Sequence, residues 1–469
     1  MNRQITLKAA LLPFYLELYD KYFSGIRPRL ENFLDRVAGR LESADMTIIK
    51  LPVCRTRSEF EEAVKKAESE KAVAIITLHL AYSPSLEAVD PLVRTPLPVI
   101  IMDTTPAYAF GPDQSSDEIM YNHGIHGVQD LCNLLIRHKK YFSLETGHID
   151  HSDIIPRIRR HVQAAGMVFA LRHGRTGRIG RAFPGMGDFL VQDEDYSSLG
   201  ISVLQTGPEA IAAHLPDEND PRIREELEKD AVRFDMNHID MHVYRRSVRY
   251  GLALRDWVEQ EKLSAFTLNF MEVDKKKGLA VMPFLEISKL LAKGIGYAGE
   301  GDLLTSSLTG ALFSLFREVT FTEMFCPDWK NGIVFLSHMG EMNIHLSAFK
   351  PRLITLPWRF SEAYDPVIAA GSFKEGEALV VNLAPVNKNV FRLIVAPVDV
   401  LPEGKHSRFS KQVRGWMKPA VSLPEFLKKY SLSGGTHHIA LVYTNDREKE
   451  MEVISEFGKM MKWEILFLG

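Results

Sequence analysis

The sequence predicts an α/β protein: two doubly wound α/β domains followed by a β-rich, antiparallel barrel-like carboxyl-terminal domain. Three observations lead there. In the first third, short runs rich in Val and Ile alternate with amphipathic helical segments, the pattern of a parallel sheet covered on both faces. From about Phe321 onward, short β-rich runs follow one another with Pro and Gly turns and little helix, which suits an antiparallel barrel or sandwich. And 469 residues are too many for a single core. The divisions expected are residues 1–160, 161–318 and 319–469, with no internal repeat or long linker between them.

In chain order, a helix over 27–41 places Leu30, Phe33, Leu34, Val37 and Leu41 on one face. Strands are expected at 46–53 (MTIIKLPV), 72–80 (AVAIITLHL) and 97–103 (LPVIIMD), with a helix over 59–69 between the first two. Loops leaving the carboxyl ends of such strands form the ligand crevice, which marks 83–85 and 104–112. A helix over 153–165 and a strand over 167–172 open the second unit. The Gly- and Arg-rich run 175–187 (RTGRIGRAFPGMG) invites a phosphate-cradling reading. It lacks both the G-x-x-x-x-G-K-[ST] order and a G-x-G-x-x-G opening a helix, so it reads as a turn-rich connection. Helices over 221–234 and 240–263 lead to a strand at 265–270; the third domain then supplies FTEMF, GIVFLSHM, RLITLP, ALVVNLAPV and VFRLIVAPV.

Composition excludes several classes. Hydrophobic content of 45% and charged content of 25% are those of an ordinary globular chain, and a net charge of -3 gives no reason to expect nucleic acid as partner. No apolar run is long enough to span a bilayer, so no membrane partner is expected. The amino-terminal run MNRQITLKAALLPFYLELYDKYF is broken by Pro13 and runs into Glu17 and Asp20, unlike a secretory leader. The three cysteines, Cys54, Cys132 and Cys326, are scattered and in no C-x-x-C arrangement, as reduced thiols would be. A cytoplasmic protein is expected.

Four segments carry potential chemistry. In GIGYAGEGDLLTSSL an apolar run ends in a glycine-flanked acidic pair, Glu300 and Asp302. Asp302 is placed to cap the helix that follows, which leaves Glu300 unexplained. In FTEMFCPDW, Glu323 interrupts a strand-like apolar run; it either faces solvent or has a charge partner, because a buried unpaired carboxylate is costly. In VFLSHMGEMNIH, His338 ends an apolar run, where a hydrogen-bonded core histidine is the ordinary finding. In GGTHHIALVY, His437 and His438 enter an apolar strand, whose alternation would let only one of them face a given site. Two Glu with one or two His make a mixed oxygen and imidazole set, suited to a divalent ion such as Mn²⁺.

Together these segments closely resemble the L-arabinose isomerase family, whose relatives include L-fucose isomerase. The run GLAVMPFLEISKLLAKGIGYAGEGD looks like the segment before the family's first metal-binding glutamate, FTEMF like the second, LSHMGE like the first histidine and GGTHH like the last. The resemblance implies a metal held by Glu300, Glu323, His338 and His438, with Glu300 and Glu323 also acting as the catalytic proton carriers. His438 is preferred to His437 because the family's ligand is the second of the pair. NHGIHGVQDL resembles a segment that brings a substrate-binding histidine, matched by His126, and Tyr19 is a second substrate-binding candidate. The activity implied is aldose–ketose isomerisation of a sugar through a cis-enediol, with manganese as the cofactor. The implied assembly is a homo-oligomer, tetramer or hexamer, with shared active sites.

Two regions depart from the arabinose-specific pattern. After Glu323 the family's tyrosine-rich stretch is replaced by Met324, Phe325, Cys326 and Pro327, and LLPFYLELYD differs from the glutamine-containing substrate loop. Metal chemistry is therefore better supported than L-arabinose as substrate. The alternatives are a metal-dependent epimerase, an isomerase of a sugar acid or polyhydroxy compound, and a non-catalytic sugar-binding protein.

Overall fold

A computed structural model describes residues 6–23, 25–403 and 408–469. The chain divides into two compact units. One runs up to Phe169 and takes in Glu452–Lys462; the other comprises Ala170–Met451 and Trp463–Gly469.

The first unit is built on a parallel sheet of β1 (Leu7–Phe14), β2 (Met46–Lys50), β3 (Ala74–His79), β4 (Val99–Asp103) and β5 (Phe142–Thr146), in the order β2-β1-β3-β4-β5. The helix Ile26–Leu41 buries Ile26, Leu30, Phe33, Leu34, Val37 and Leu41, the face its periodicity predicts. A reciprocal Thr56/Glu59 capping box starts the helix Arg57–Ser69. Strand β1, a central strand of the sheet, lies in the run weighed as a leader, whose first five residues fall outside the described ones. Pro13 is tolerated because it lies past the last β1–β2 pair, Leu11–Lys50, where its nitrogen would have no ladder acceptor.

The strand expected over 167–172 is instead helical. The helix Ile154–His173 continues through it, and its one glycine there, Gly166, packs tightly on Leu7 without breaking it. The break comes at Gly174, and the strand follows at once.

The larger unit holds a second parallel sheet: β6 (Arg175–Ile179), β7 (Ser202–Thr206), β8 (Ala265–Leu268) and β9 (Gly296–Gly299), in the order β7-β6-β8-β9. Its helices Met241–Gln260 and Phe284–Ala292 are joined by a buried charge network. Arg255 bridges Glu226 and Glu286, and Lys289 bridges Glu226 and Asp230. Every member has an opposite partner, as burial of charge requires.

The same unit carries the antiparallel domain: β10 (Val319–Asp328), β11 (Ile333–Ser337), β12 (Arg352–Thr355), β13 (Val367–Ala370), β14 (Gly376–Asn387), β15 (Val390–Val400), β16 (Gly415–Pro419), β17 (His438–Tyr443) and β18 (Glu464–Phe467). Neighbours pair in the order β14-β17-β10-β11-β16-β15, and a β14–β15 pairing closes the ring into a barrel. Strand β18 joins β15 in parallel outside the ring. Leu336, Val380, Ile394, Ile439 and Leu441 belong to its buried core. The run RLITLP forms β12, which pairs with β13 in a separate small sheet instead of joining the barrel.

Candidate active site

The site begins where β9 ends. Glu300 follows Gly299 with its backbone in the left-handed region, φ 63°, and Gly301 continues it at φ 84°. A non-glycine residue held there carries strain on the order of 1–3 kcal/mol. Two hydrogen bonds hold it, Glu300 N–H to the Leu268 carbonyl at 3.1 Å and Phe183 N–H to the Glu300 carbonyl at 2.8 Å. Neither flanking glycine could take a side chain without a shift of its neighbours. A Cβ on Gly299 would lie 3.0 Å from His338 Cε1, and one on Gly301 2.7 Å from Ala182 Cα. Asp302 caps the helix Leu303–Phe313, its Oδ1 accepting from Thr305 N–H at 2.9 Å.

The barrel brings the other groups to Glu300. Glu323 on β10 is the register partner of Ser337 on β11 and of His438 on β17. Its Oε1 lies 3.3 Å from His338 Nε2 and 3.1 Å from His438 Nε2. Glu300 Oε2 lies 3.6 Å from His438 Nε2 and 3.5 Å from His437 Nε2. Both adjacent histidines thus face the same carboxylate, against the expectation of opposite faces. The alternation does not apply because β17 starts at His438 and His437 still belongs to the preceding turn.

All three imidazoles are built alike. Each donates Nδ1–H to a carboxylate and aims Nε2 at the shared centre: His338 to Glu341 at 2.6 Å, His437 to Asp188 at 2.7 Å, His438 to Asp302 at 2.9 Å. Glu341 is itself held by the Tyr297 hydroxyl at 3.0 Å and Gly340 N–H at 2.9 Å. Such carboxylate–imidazole pairs fix the tautomer and leave Nε2 as the ligand atom.

The electrostatics follow from this packing. Burial pushes the Glu323 carboxyl up, but the His338 and His438 imidazoles more than reverse it and hold it well below the usual carboxylate range. Burial pulls His338 down, and the Glu341 and Glu323 carboxylates outweigh that, leaving it well above an ordinary imidazole. His438 is raised in the same way, against its own burial, by Asp302 and Glu323. For His437, Asp188 and Glu300 overcome desolvation and raise it to about 10.

Glu300 Oε2, His437 Nε2 and His438 Nε2 are buried with no hydrogen-bond partner. Unpartnered buried polar atoms converging on one point are what a cation-binding site presents without its ion. One ligand atom from each of Glu300, Glu323, His437 and His438 lies within 4.8 Å of the others. His338 borders this group through Glu323. Exposure separates the histidines: the side chains of His338 and His438 are 4% and 0% exposed, whereas that of His437 is 36% exposed.

His126 and Tyr19 lie in the other unit. His126 is exposed in the first turn of the helix Ile125–Arg137, its ring edge-on to those of Tyr82 and His123. The Tyr19 hydroxyl is 2.8 Å from His123 Nε2. Gly127 lets this helix approach β3, since a Cβ there would come 2.5 Å from His79 Cδ2.

Sequence reasoning passed over Asp188 and Glu341 and gave Asp302 only its cap. Glu341 had a local signal, an acid three residues after a histidine. Asp188 had none, being 249 residues from His437.

Residues 194–317 match the L-arabinose isomerase central domain and residues 318–464 the L-arabinose isomerase C-terminal domain. L-arabinose isomerase of Thermotoga petrophila is 23% identical over 452 residues, 90% of each chain. That of Thermotoga neapolitana is 23% identical over 491 aligned positions, 97% of this chain and 98% of its own. That of Anoxybacillus flavithermus is 25% identical over 438, covering 86% and 85%. Fold and matches define an intramolecular oxidoreductase of the aldose–ketose isomerase class. Within that class the chain belongs to the L-arabinose isomerase family.

Proposed function

We propose that the chain is a metal-dependent isomerase of a pentose, hexose or related polyhydroxy compound, with a divalent cation held by Glu300, Glu323, His338 and His438. The observation that carries this reading is the convergence of two carboxylates with carboxylate-backed imidazoles on one point, where Glu300 Oε2 and His438 Nε2 are buried without a hydrogen bond. Oxygen and imidazole donors without thiolate suit manganese. An ion held by these residues would supply electrophilic stabilisation to the developing enediolate.

The chain's own groups do the rest. Glu300 and Glu323 carry the proton between adjacent carbons, one removing it and the other returning one. The carboxylates on each Nδ1 keep the imidazoles from turning away. The strained backbone at Glu300, tied to Leu268 and Phe183, holds its carboxylate in place before a sugar arrives. Tyr19 and His126 contact the sugar from a neighbouring subunit of a homo-oligomer, and the enzyme works in the cytoplasm. No described helix is long and apolar enough to cross a membrane.

The stretch after Glu323 bears on the sugar. A bulge between Met324 and Cys326 leaves Phe325 unpaired and exposed where arabinose-specific members carry tyrosines. The test is to load the protein with Mn²⁺ and incubate it in deuterated water with aldoses, ketoses and sugar acids. Interconversion of one aldose–ketose pair, with solvent deuterium entering the product, is expected. Metal binding without turnover of any compound would mean a sugar-binding protein, and turnover of sugar acids alone would mean the sugar-acid isomerase.

A further inference from the structure

Strand β14 carries a polar residue in its buried, apolar middle: Asn382, in the run LVVNLAPV. By strand alternation it lies on the face of Ala378, Val380 and Ala384, which belong to the barrel's buried core. Asn382 is wholly enclosed, and a buried amide is costly unless its hydrogen bonds are made. An apolar side chain would fill the same place without that cost.

The side-chain bonds of Asn382 end on the turn that leads into β17. Its Nδ2 donates to Thr436 Oγ1 at 2.6 Å and to the His438 carbonyl at 2.9 Å. Its Oδ1 accepts from Thr436 N–H at 3.2 Å. The Thr436 hydroxyl donates to the same His438 carbonyl at 3.0 Å. From another side the Tyr430 hydroxyl holds the Thr436 carbonyl at 2.6 Å, its ring packed so closely on Gly435 that a Cβ there would come 2.3 Å from Cε1. This clamp falls where the ladder stops. Strands β14 and β17 pair from Ala378–Tyr443 to Val381–Ala440, and His438 lies beyond the last pair. On its other side His438 is paired with Glu323. The Asn382 amide thus continues as a side chain what the β14 main chain leaves off.

We propose that Asn382 is a positioning residue for His438, tying the first residue of β17 to β14 so that its imidazole stays at the cation centre. Two supports divide the work. Asp302, on Nδ1, sets the rotation of the ring, whereas Asn382 and Thr436 hold the main chain that carries it. Without the amide the His438 carbonyl keeps one donor, and the buried Thr436 N–H loses its acceptor. The start of β17 is then free to part from β14. Only the affinity readout below rests on the metal reading.

The test uses the full chain as wild type and as Asn382→Leu, which is close in shape and removes the amide. Calorimetry measures Mn²⁺ affinity. In parallel, the metal-free chains are treated with diethyl pyrocarbonate, and fragmentation mass spectrometry reads which imidazoles have reacted. His438 is 0% exposed and His338, on the barrel's other side of Glu323, 7%, so wild type should protect both. Asn382→Leu should weaken Mn²⁺ binding by about tenfold or more, as for loss of support behind a ligand. It should also open His438 to labelling while His338 stays protected. Unchanged Mn²⁺ affinity or continued protection of His438 overturns the proposal. Labelling of both histidines overturns it too, because the amide would then serve the barrel as a whole. Should Asn382→Leu fail to fold, Thr436→Val and Thr436→Ser take its place, since only the serine keeps the hydroxyl that braces the amide and the His438 carbonyl. Valine should then show both losses and serine neither; any other pattern overturns the proposal. If wild type binds no Mn²⁺, the metal reading fails, and the labelling alone decides the role of Asn382.

Discussion

Glu323 and His438 stand directly opposite one another in the β10–β17 ladder, and their side chains meet at 3.1 Å. The barrel backbone therefore sets this contact before any ion or sugar is present. Slippage of that pairing by one residue would send one of the two side chains to the other face.

Glu300→Gln and Glu323→Gln should each leave the fold intact and lower turnover by about 10²–10⁴-fold, the range for losing a positioned acid or base. Each change removes a negative donor at nearly constant volume. Kinetics at saturating Mn²⁺, with circular dichroism as the control for folding, provide the check. Either variant keeping most of its activity would remove that residue from proton transfer.

Gly299→Ala tests the closeness of β9 to His338. The added methyl would stand 3.0 Å from His338 Cε1 and 3.3 Å from its Nε2, so the ring must give way and its Nε2 leaves its present position. Mn²⁺ affinity should fall by about tenfold or more, as for loss of support to a ligand. An unaltered titration would show that His338 is not held to the metal at this distance.

Asp302 has two jobs that substitution can part. Asp302→Asn keeps an acceptor for Thr305 N–H but takes the charge from His438 Nδ1, whereas Asp302→Ala loses both. Both should weaken Mn²⁺ binding about 10–100-fold. Only the alanine variant should also lose about 1 kcal/mol in urea unfolding of the metal-free chain, the usual worth of a cap. Equal unfolding midpoints for the two would deny the capping role.

In the first unit, Glu456 accepts from Tyr141 at 2.7 Å and from Ser143, and lies 3.4 Å from His161 Nδ1, while His161 Nε2 is 2.8 Å from Glu145. Burial raises the Glu456 carboxyl, but these partners bring it down to about 2; His161, lowered by burial, is raised overall by Glu456 and Glu145. A depressed carboxyl stabilises above its unfolded value and loses that as pH falls toward about 2, whereas a raised imidazole stabilises below about 6.5 and loses that at higher pH. The cluster should therefore contribute most between about pH 4.5 and 6.5. Glu456→Gln should cost about 1–3 kcal/mol at about pH 5.5 and progressively less toward about pH 2. A penalty that does not vary with pH would dismiss the ionic account.

The proposal that the active site is shared between subunits predicts complementation. His126→Ala and Glu300→Gln chains, each inactive alone, should recover part of wild-type activity when unfolded together and refolded as mixed oligomers. No recovery, with light scattering showing that mixed oligomers had formed, would place a complete site within one chain.

Much of this architecture was legible because it rests on local patterns. The helix Ile26–Leu41 and strands β2 to β4 follow from apolar periodicity and β-branched content. Strand β1 is hidden by Pro13, which interrupts its apolar run, and 167–172 reads as a strand because a short apolar run has no period of its own. At the site, Glu300 and Glu323 stood out as carboxylates in apolar settings. That both His437 and His438 face inward depends on β17 starting one residue later than the apolar pattern suggests, a matter of barrel register. Asp188 meets His437 only through tertiary folding, and nothing near it in the chain announces the bond.

The closed ring has a consequence for how the protein is made. Strand β17 is the last of the six ring strands to leave the ribosome, and it carries the partner that faces Glu323. A nascent chain that has not reached Tyr443 already contains Glu300, Glu323 and His338, yet β10 has an open edge and the cradle lacks a wall. A cation held by this donor set would therefore meet its full set of ligands only after the ring has closed, as a seal on a finished barrel.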